Sequence, residues 1–318
     1  MTSSKHFRAH NKIVLADAFN LSEEAYEKLL SLAEVVRCDL GDRTGLLTVV
    51  NNADIVVAEY ARIDREVMDA APLLKGIVVY GVGKDHIDLV AAAERGIEVF
   101  NTAGANSNAV AELTFGILLN CARRVHQADR YIRDGGWQGG ESGTLPDIFH
   151  GVELGGKSIG IIGYGNIGRR IADIARGFGM SPCYWQPSRP AIADDTPFLP
   201  LEELLSSVDV LSVNCPLNAE SQGFLSRKRL AGTKRGVVLV VTSRGKIVDE
   251  EALVEFLASG HIAAAGLDVF AVEPLPADSP LLQAPNVVLT PHIGGSTYEA
   301  EANISRMIAS RCQEILKG

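Results

Sequence analysis

An α/β protein built from two doubly wound parallel-sheet domains is what this sequence predicts, and three observations predict it. Its 318 residues are enough for two domains of ordinary size, each with its own core. Short, nearly continuous apolar runs alternate with amphipathic stretches almost from end to end, the pattern of strands buried on both faces of a parallel sheet. The alternation runs as two series, and the second is headed by a glycine-rich strand-to-helix segment, "IGIIGYGNIGRRIA".

In the first series "KIVLAD" (residues 12–17) reads as a strand. The helical "SEEAYEKLLSLAE" follows and opens on Ser22 as an N-cap. "ADIVVAEY" (53–60) leads to helical "IDREVMDAAP", and "LKGIVVYGVG" leads to helical "HIDLVAAAERG"; "IEVFNTAG" closes the series. The apolar "NAVAELTFGILLNCARRVHQADRYIRDGGW" is too long for an ordinary crossover. It is expected to be a long helix that bridges two domains or builds a subunit interface, with Trp137 at its end packed. The second series has the strands "KSIGIIG", "PCYW", "VDVLSVNCP" (208–216), "GVVLVVTS" (236–243), "AAAGLDVF" (263–270) and "NVVLTP" (286–291). Six strands with helices between them match the doubly wound dinucleotide fold. The final "YEAEANISRMIASRCQEILKG" is helical, too short for a domain, and is expected to pack back on the first one. The layout is a split domain, residues 1–101 and 290–318, with a dinucleotide domain, residues 102–289, inserted into it.

Composition narrows the function classes. Hydrophobic residues make up 47% and charged residues 22%, the profile of a soluble globular protein. Thirty Lys+Arg against 39 Asp+Glu leave a net charge of −9, and no basic block suggests a nucleic-acid surface. No signal core and no run approaching ~18 apolar residues suggests a membrane partner. Cys38, Cys121, Cys183, Cys215 and Cys312 are scattered without CxxC spacing. Neither a disulfide framework nor a metal site is expected, and a cytoplasmic location fits best.

In the glycine segment Gly163 allows a tight turn and Gly165 lets a pyrophosphate approach the backbone. Gly168 lets the helix pack close, so that the N–H groups of its first turn, at Asn166 and Ile167, point at the phosphates. Such a turn alone is weak evidence; at the first strand–helix junction of a six-strand series it is strong. An acidic residue usually closes the second strand of this fold and holds the adenosine ribose. Here that place carries Gln186, followed by Ser188 and Arg189. The amide removes the repulsion of a 2′-phosphate, and a nearby arginine is how the fold accommodates NADP. NADP is therefore favoured over NAD.

Ligands of open α/β sheets sit beyond the carboxyl ends of the strands. Arg244 follows "GVVLVVTS", Glu273 follows "AAAGLDVF", whose end contains Asp268, and His292 follows "NVVLTP". Each alone reads equally well as an ordinary surface or turn residue; their shared placement is the signal. A guanidinium clamps a carboxylate with two prongs. A histidine exchanges a proton with a developing alkoxide, and a neighbouring glutamate favours its charged form. With a hydride from a nicotinamide, these groups reduce a 2-keto acid. No HExxH or GxSxG motif points elsewhere.

Over nearly its full length the chain resembles the D-isomer-specific 2-hydroxyacid dehydrogenases. The resemblance rests on "YGVGKDHIDLVAAAERGIEVFNTAGANSNAVAELTFGILL", "GIIGYGNIGRRIA", "VNCPLNAESQGFL", "TSRGKIVDEEAL", "GLDVFAVEPLP" and "LTPHIGGST". It implies a Rossmann dinucleotide domain inserted into a flavodoxin-like substrate domain, a cleft between them, and a homodimer through the inserted domain. It also implies residue roles. Arg244 holds the substrate carboxylate and carbonyl, His292 is the acid/base and Glu273 tunes it. Asp268 meets the nicotinamide amide, and Cys215 and Pro216 border the adenine pocket. Ser221, Thr242, Gly294 and Gly295 complete the cofactor set. Tyr60 and the backbone of Val82 and Gly83 serve the substrate. The sequence departs from the family pattern where Thr242 and Ser243 precede Arg244, and where Glu59 stands beside Tyr60. The acid weakens a phosphoglycerate dehydrogenase reading, although Arg62 is close enough in sequence to serve a phosphate. No amino-acid-sensing domain is expected after the core. The implied activity is reduction of a small 2-keto acid such as hydroxypyruvate or glyoxylate. A phosphoglycerate dehydrogenase is the alternative within the class, and a corepressor-like NAD(H) sensor the alternative outside it.

Overall fold

The computed structural model describes residues 11–39, 41–137, 146–187 and 195–317. The chain forms two compact units, one of Met1–Asn106 with Gly295–Gly318, the other of Ser107–Gly294. It passes between them a few residues beyond the strand ends at which the sequence reading drew the boundaries.

The first unit runs β1 (Lys12–Leu15), α1 (Glu23–Leu32), β2 (Glu34–Arg37), α2 (Arg43–Val49), β3 (Ile55–Ala58), α3 (Arg65–Ala70), β4 (Gly76–Val79), α4 (Leu89–Glu94) and β5 (Glu98–Asn101). All its strands pair in parallel in the order β2-β1-β3-β4-β5, which is flavodoxin-like. Every residue of β1, β3 and β4 is buried, because the pleat sends alternate side chains to two covered faces. Val14, Val56 and Ile77 enter one core; Ile13, Leu15, Ile55, Val57 and Val78 enter the other. Ser22, Asp42, Asp64 and Asp88 each accept a first-turn N–H with their side chains, which sets where α1 to α4 begin. The sequence reading did not contain β2. Its four residues, "EVVR", lie at the sheet edge with exposed charged ends, so burial leaves no apolar run to read.

The second unit opens with α5 (Ser107–Arg123) and α6 (Val125–Arg133). The long helix expected here is thus two helices. The break is at Arg124, whose φ of 55° is left-handed and cannot continue an α-helix. Then follow β6 (Ser158–Ile162), α7 (Asn166–Gly177), β7 (Ser181–Trp185), α8 (Leu201–Ser207), β8 (Val210–Val213), α9 (Arg227–Ala231), β9 (Val237–Val241), α10 (Glu250–Ala258), β10 (Ile262–Leu267) and β11 (Val287–Leu289). The parallel sheet has the order β11-β10-β9-β8-β6-β7, and a single bridge from Phe198 to Tyr184 continues it outside β7. Counting that bridge as a vestigial strand, the order starts as in the Rossmann fold, and it reverses direction between β6 and β8. In open sheets of this kind ligands bind at the ends of the two strands where the order reverses. Alternation again fills two cores, with Ile159, Ile161 and Val240 on one face and Leu211, Val213, Leu239 and Val241 on the other. α5 lies so close over β10 that a Cβ on Gly266 would stand 2.0 Å from Ile117.

The last helix, α11 (Tyr298–Lys317), belongs to the first unit, as expected for the terminal stretch. Its Ile304, Ile308 and Cys312 join the core of Ile13 and Leu15. Among the described residues no helix is long and apolar enough to cross a membrane.

Candidate active site

The second unit brings Glu273 and His292 together at the carboxyl edge of its sheet. Glu273 Oε1 accepts the Phe270 N–H at 2.9 Å, which fixes the carboxylate on its own loop. Its other oxygen, Oε2, lies 2.7 Å from His292 Nδ1. Burial, the largest influence on Glu273, pushes its carboxyl up. The His292 bond, the Phe270 N–H and the charges of His292 and Arg244 outweigh it and hold the group below the usual carboxylate range. Glu273 is therefore an anion at neutral pH, and Nδ1 carries the proton of the pair.

His292 itself is held in an uncommon shape, with φ at 53°. Its N–H donates to the Asp268 carbonyl at 2.8 Å. The fully buried Asp268 carboxylate accepts the Thr290 hydroxyl at 2.6 Å, the Ile293 N–H at 2.9 Å and the Gly294 N–H at 2.8 Å. In this structure both Asp268 oxygens thus hold the turn that carries His292.

Arg244 extends from the end of β9, its Nη1 donating to the Ser243 carbonyl at 2.8 Å. Gly245 explains why an arginine can sit beside the Glu273 loop. A Cβ on it would lie 1.9 Å from the Phe270 carbonyl carbon, so only glycine lets the two backbones meet. Thr242, just before, is buried and shares a hydrogen bond of 3.2 Å with Thr114.

The glycine turn has the shape a dinucleotide pyrophosphate needs. Gly163 has φ 94° and would place a Cβ 2.7 Å from the Cys215 N, so β6 and β8 end in contact. Gly168 would place one 2.3 Å from the Gly163 carbonyl oxygen, while Gly165 faces open space. Gly165 is also the N-cap of α7 and no side chain caps that helix. The first-turn N–H groups at Asn166 and Ile167 are thus placed for an anion. At the ribose end the Gln186 Oε1 accepts the Tyr164 N–H at 3.3 Å. Ser188 and Arg189 lie outside the described residues. Burial pushes the Cys215 thiol up to about 11, so at neutral pH it carries no charge. The Pro216 carbonyl accepts the Ser221 hydroxyl at 2.6 Å, which ties Ser221 into the loop after β8.

The remaining predicted residues belong to the first unit. Tyr60 is exposed, and its N–H, with those of Glu59 and Ala61, converges on Asp17 Oδ2 at 3.1, 2.7 and 3.0 Å. Val82 is exposed and its carbonyl accepts Asn101 Nδ2 at 2.7 Å, with Gly83 next to it. A Cβ on Gly295 would meet Asn106 at 3.2 Å. Sequence reasoning missed Asp17, which holds the Tyr60 loop, and Glu250, whose Oε1 accepts the Ala271 N–H at 2.6 Å. Their partners lie far away in sequence, so no local pattern marks them.

Comparison with known proteins follows the same lines. The D-isomer specific 2-hydroxyacid dehydrogenase NAD binding domain, as a family, matches residues 115–294. The chain is 40% identical to a glyoxylate reductase of Thermococcus litoralis over 277 residues, 86% of this chain and 83% of that one. It is 37% identical to a hydroxypyruvate reductase of Thermotoga maritima over 289 residues, 89% of this chain and 92% of the other. A crystal structure of an NADPH-dependent glyoxylate/hydroxypyruvate reductase from Sinorhizobium meliloti, in complex with NADP and malonate, superposes with a TM-score of 0.86. The two chains are 30% identical, and the match covers 96% of this chain and 93% of that one.

Proposed function

The chain belongs to the D-isomer-specific 2-hydroxyacid dehydrogenase family, and from that premise we propose that it reduces glyoxylate and hydroxypyruvate to their 2-hydroxy acids. It is an oxidoreductase that uses a nicotinamide dinucleotide. The observation that carries the substrate reading is the 2.7 Å contact of Glu273 with His292 Nδ1, in the field of Arg244. Arg244 clamps the substrate carboxylate and orients the neighbouring carbonyl. The cofactor, when bound, supplies the hydride. His292 delivers a proton from Nε2 to the carbonyl oxygen, and Glu273 keeps the ring oriented and balances its charge. By the family resemblance Tyr60, Val82 and Gly83 serve the substrate and Asp268, Thr242, Cys215, Pro216, Ser221, Gly294 and Gly295 the cofactor. The test is a spectrophotometric panel of 2-keto acids with NADPH and NADH in parallel. Turnover of glyoxylate or hydroxypyruvate is expected; turnover of none would sink the reading and favour a nucleotide sensor.

The preferred cofactor is NADP(H). Gln186 puts a neutral amide where a carboxylate would repel a 2′-phosphate, and its Oε1 is turned to the Tyr164 N–H. Gln186→Asp is expected to lower kcat/KM for NADPH at least about tenfold, since each close like-charge pair is worth roughly 4 kcal/mol before screening. Arg189→Ala is expected to act in the same direction. Native preference for NADH, indifferent to Arg189→Ala, would reverse the assignment. The protein is a homodimer through its second unit, and its five free cysteines suit a reducing cytoplasm.

A further inference from the structure

We infer that Glu250 is a positioning residue of the active site: it holds the loop that presents Glu273 and so fixes the His292 ring relative to the Arg244 guanidinium. The inference rests on the proposed reaction and concerns a residue to which that reaction gives no direct role.

Two successive N–H groups of the loop after β10 are each taken by a carboxylate. Phe270 donates to Glu273 at 2.9 Å, and Ala271 donates to Glu250 at 2.6 Å. Glu250 opens α10, but it is not needed to cap that helix. Asp249 is the N-cap and accepts the Ala252 N–H at 3.0 Å. Glu250 therefore spends its carboxylate on a loop 21 residues away in sequence.

The chain that carries Glu250 is the one that carries Arg244. Between them Gly245 packs on the backbone of Phe270 and Ala271, and Ile247 and Val248 are buried. The segment thus grips the loop twice, once by steric contact beside the arginine and once by the Glu250 hydrogen bond. Removing the second grip frees the Ala271 N–H, while Val269 and Phe270 stay buried in the core on the side of the loop before it. The electrostatics agree with this closeness. Burial pushes the Glu250 carboxyl up, the Ala271 N–H opposes it, and the Glu273 carboxylate adds to the rise. The Glu250 and Glu273 carboxylates thus feel each other across one short loop.

Glu250→Gln keeps an oxygen that can accept the Ala271 N–H; Glu250→Ala does not. In the full chain Glu250→Ala is expected to lower kcat for glyoxylate and hydroxypyruvate at least about tenfold, as misplacement of a catalytic group does. Cofactor affinity, measured by fluorescence titration, is expected to stay unchanged. Glu250→Gln is expected to restore most of kcat. Hydrogen exchange of the peptide covering 268–275 is expected to quicken in Glu250→Ala and not in Glu250→Gln. The inference is overturned if Glu250→Ala keeps the parental kcat, if cofactor affinity falls in step with kcat, if Glu250→Gln is as impaired as Glu250→Ala, or if exchange is unaltered. An unmodified protein that turns over no 2-keto acid would count against the proposed function instead, and the exchange measurement would still decide the role of Glu250.

Discussion

At the scale of single residues, His292 is the costliest placement in the site. A non-glycine residue at φ 53° carries strain of order 1–3 kcal/mol, which persists only where neighbours over-determine it. Here the Asp268 carbonyl and carboxylate do so with four hydrogen bonds from residues 290–294. The geometry separates orientation from chemistry. His292→Asn is expected to lower kcat by about 10²–10⁴-fold, the usual share of positioned proton transfer, with cofactor affinity kept. A collapse of cofactor affinity would make His292 structural. Glu273→Gln leaves an acceptor for Nδ1 but no charge to balance a protonated ring. The pH range of reduction is expected to move down by about one unit, the lower end of what one adjacent opposite charge does. Because the Glu273 carboxyl is held below its ordinary value, the native pair should stay intact as pH falls until that lowered value is crossed. Initial rates across pH for both proteins check this, and identical profiles would count against the pairing.

At the scale of elements, the site depends on how close strand ends are allowed to come. Gly245→Ala would put a Cβ 1.9 Å from the Phe270 carbonyl carbon, and both neighbours are backbone, so something must shift. A displacement of about 1 Å between the arginine and the Glu273 loop is expected to cost about 10²-fold in kcat/KM. Steady-state kinetics alongside a melting curve separate this from general unfolding. At the opposite edge of the same sheet Asp209 joins three segments. Its carboxylate accepts the Ser158 N–H at 2.9 Å, the Ser158 hydroxyl at 3.0 Å and Lys234 Nζ at 2.8 Å. Burial pushes its carboxyl up, but the bonds from Lys234 and Ser158 outweigh that and hold it below its ordinary 3.8. A depressed acid contributes stability above its unfolded value and loses it as pH falls through the folded one. Asp209→Asn is therefore expected to cost about 1–2 kcal/mol at pH 7, after allowance for partial exposure. The gap from the parent should begin to narrow as pH falls below about 3.8 and close once the lowered folded value is passed. Urea midpoints at pH 7 and pH 3 measure it; a gap independent of pH would show that the charge is not what matters.

At the scale of the whole molecule, α6 is a helix that sends no side chain into the core. None of its residues is buried, Val125 and Ile132 are exposed, and so is Trp137 just after it. The sequence reading expected Trp137 to pack; within this chain it does not. An amphipathic helix with an uncovered apolar side fits a subunit contact. Size exclusion with light scattering is expected to give twice the chain mass of 34.0 kDa, and Val125→Asp with Ile132→Asp is expected to give the single chain. A double variant that remains dimeric would move the interface elsewhere.

Short-range physics is what can be read directly from the order of residues. Runs of β-branched residues marked the buried strands. Ser22 marked a helix start, and three glycines with GxGxxG spacing marked the turn from β6 into α7. Arg244, Glu273 and His292 could be singled out as candidates because each comes shortly after the end of such a strand. The absence of a carboxylate at position 186 was legible too, since one residue type settles it. The tertiary structure alone decided which strand ends became neighbours. That brought Gly245 onto Phe270, Glu250 onto Ala271 and Asp17 onto three successive N–H groups at 59–61. It also decided that Asp268 would grip the His292 turn and that the helical run would break at Arg124. Propensity and periodicity act over a few residues, whereas these contacts join groups 21 to 44 positions apart. They exist only once the two sheets have ordered their strands and burial has made every stray polar group find a partner.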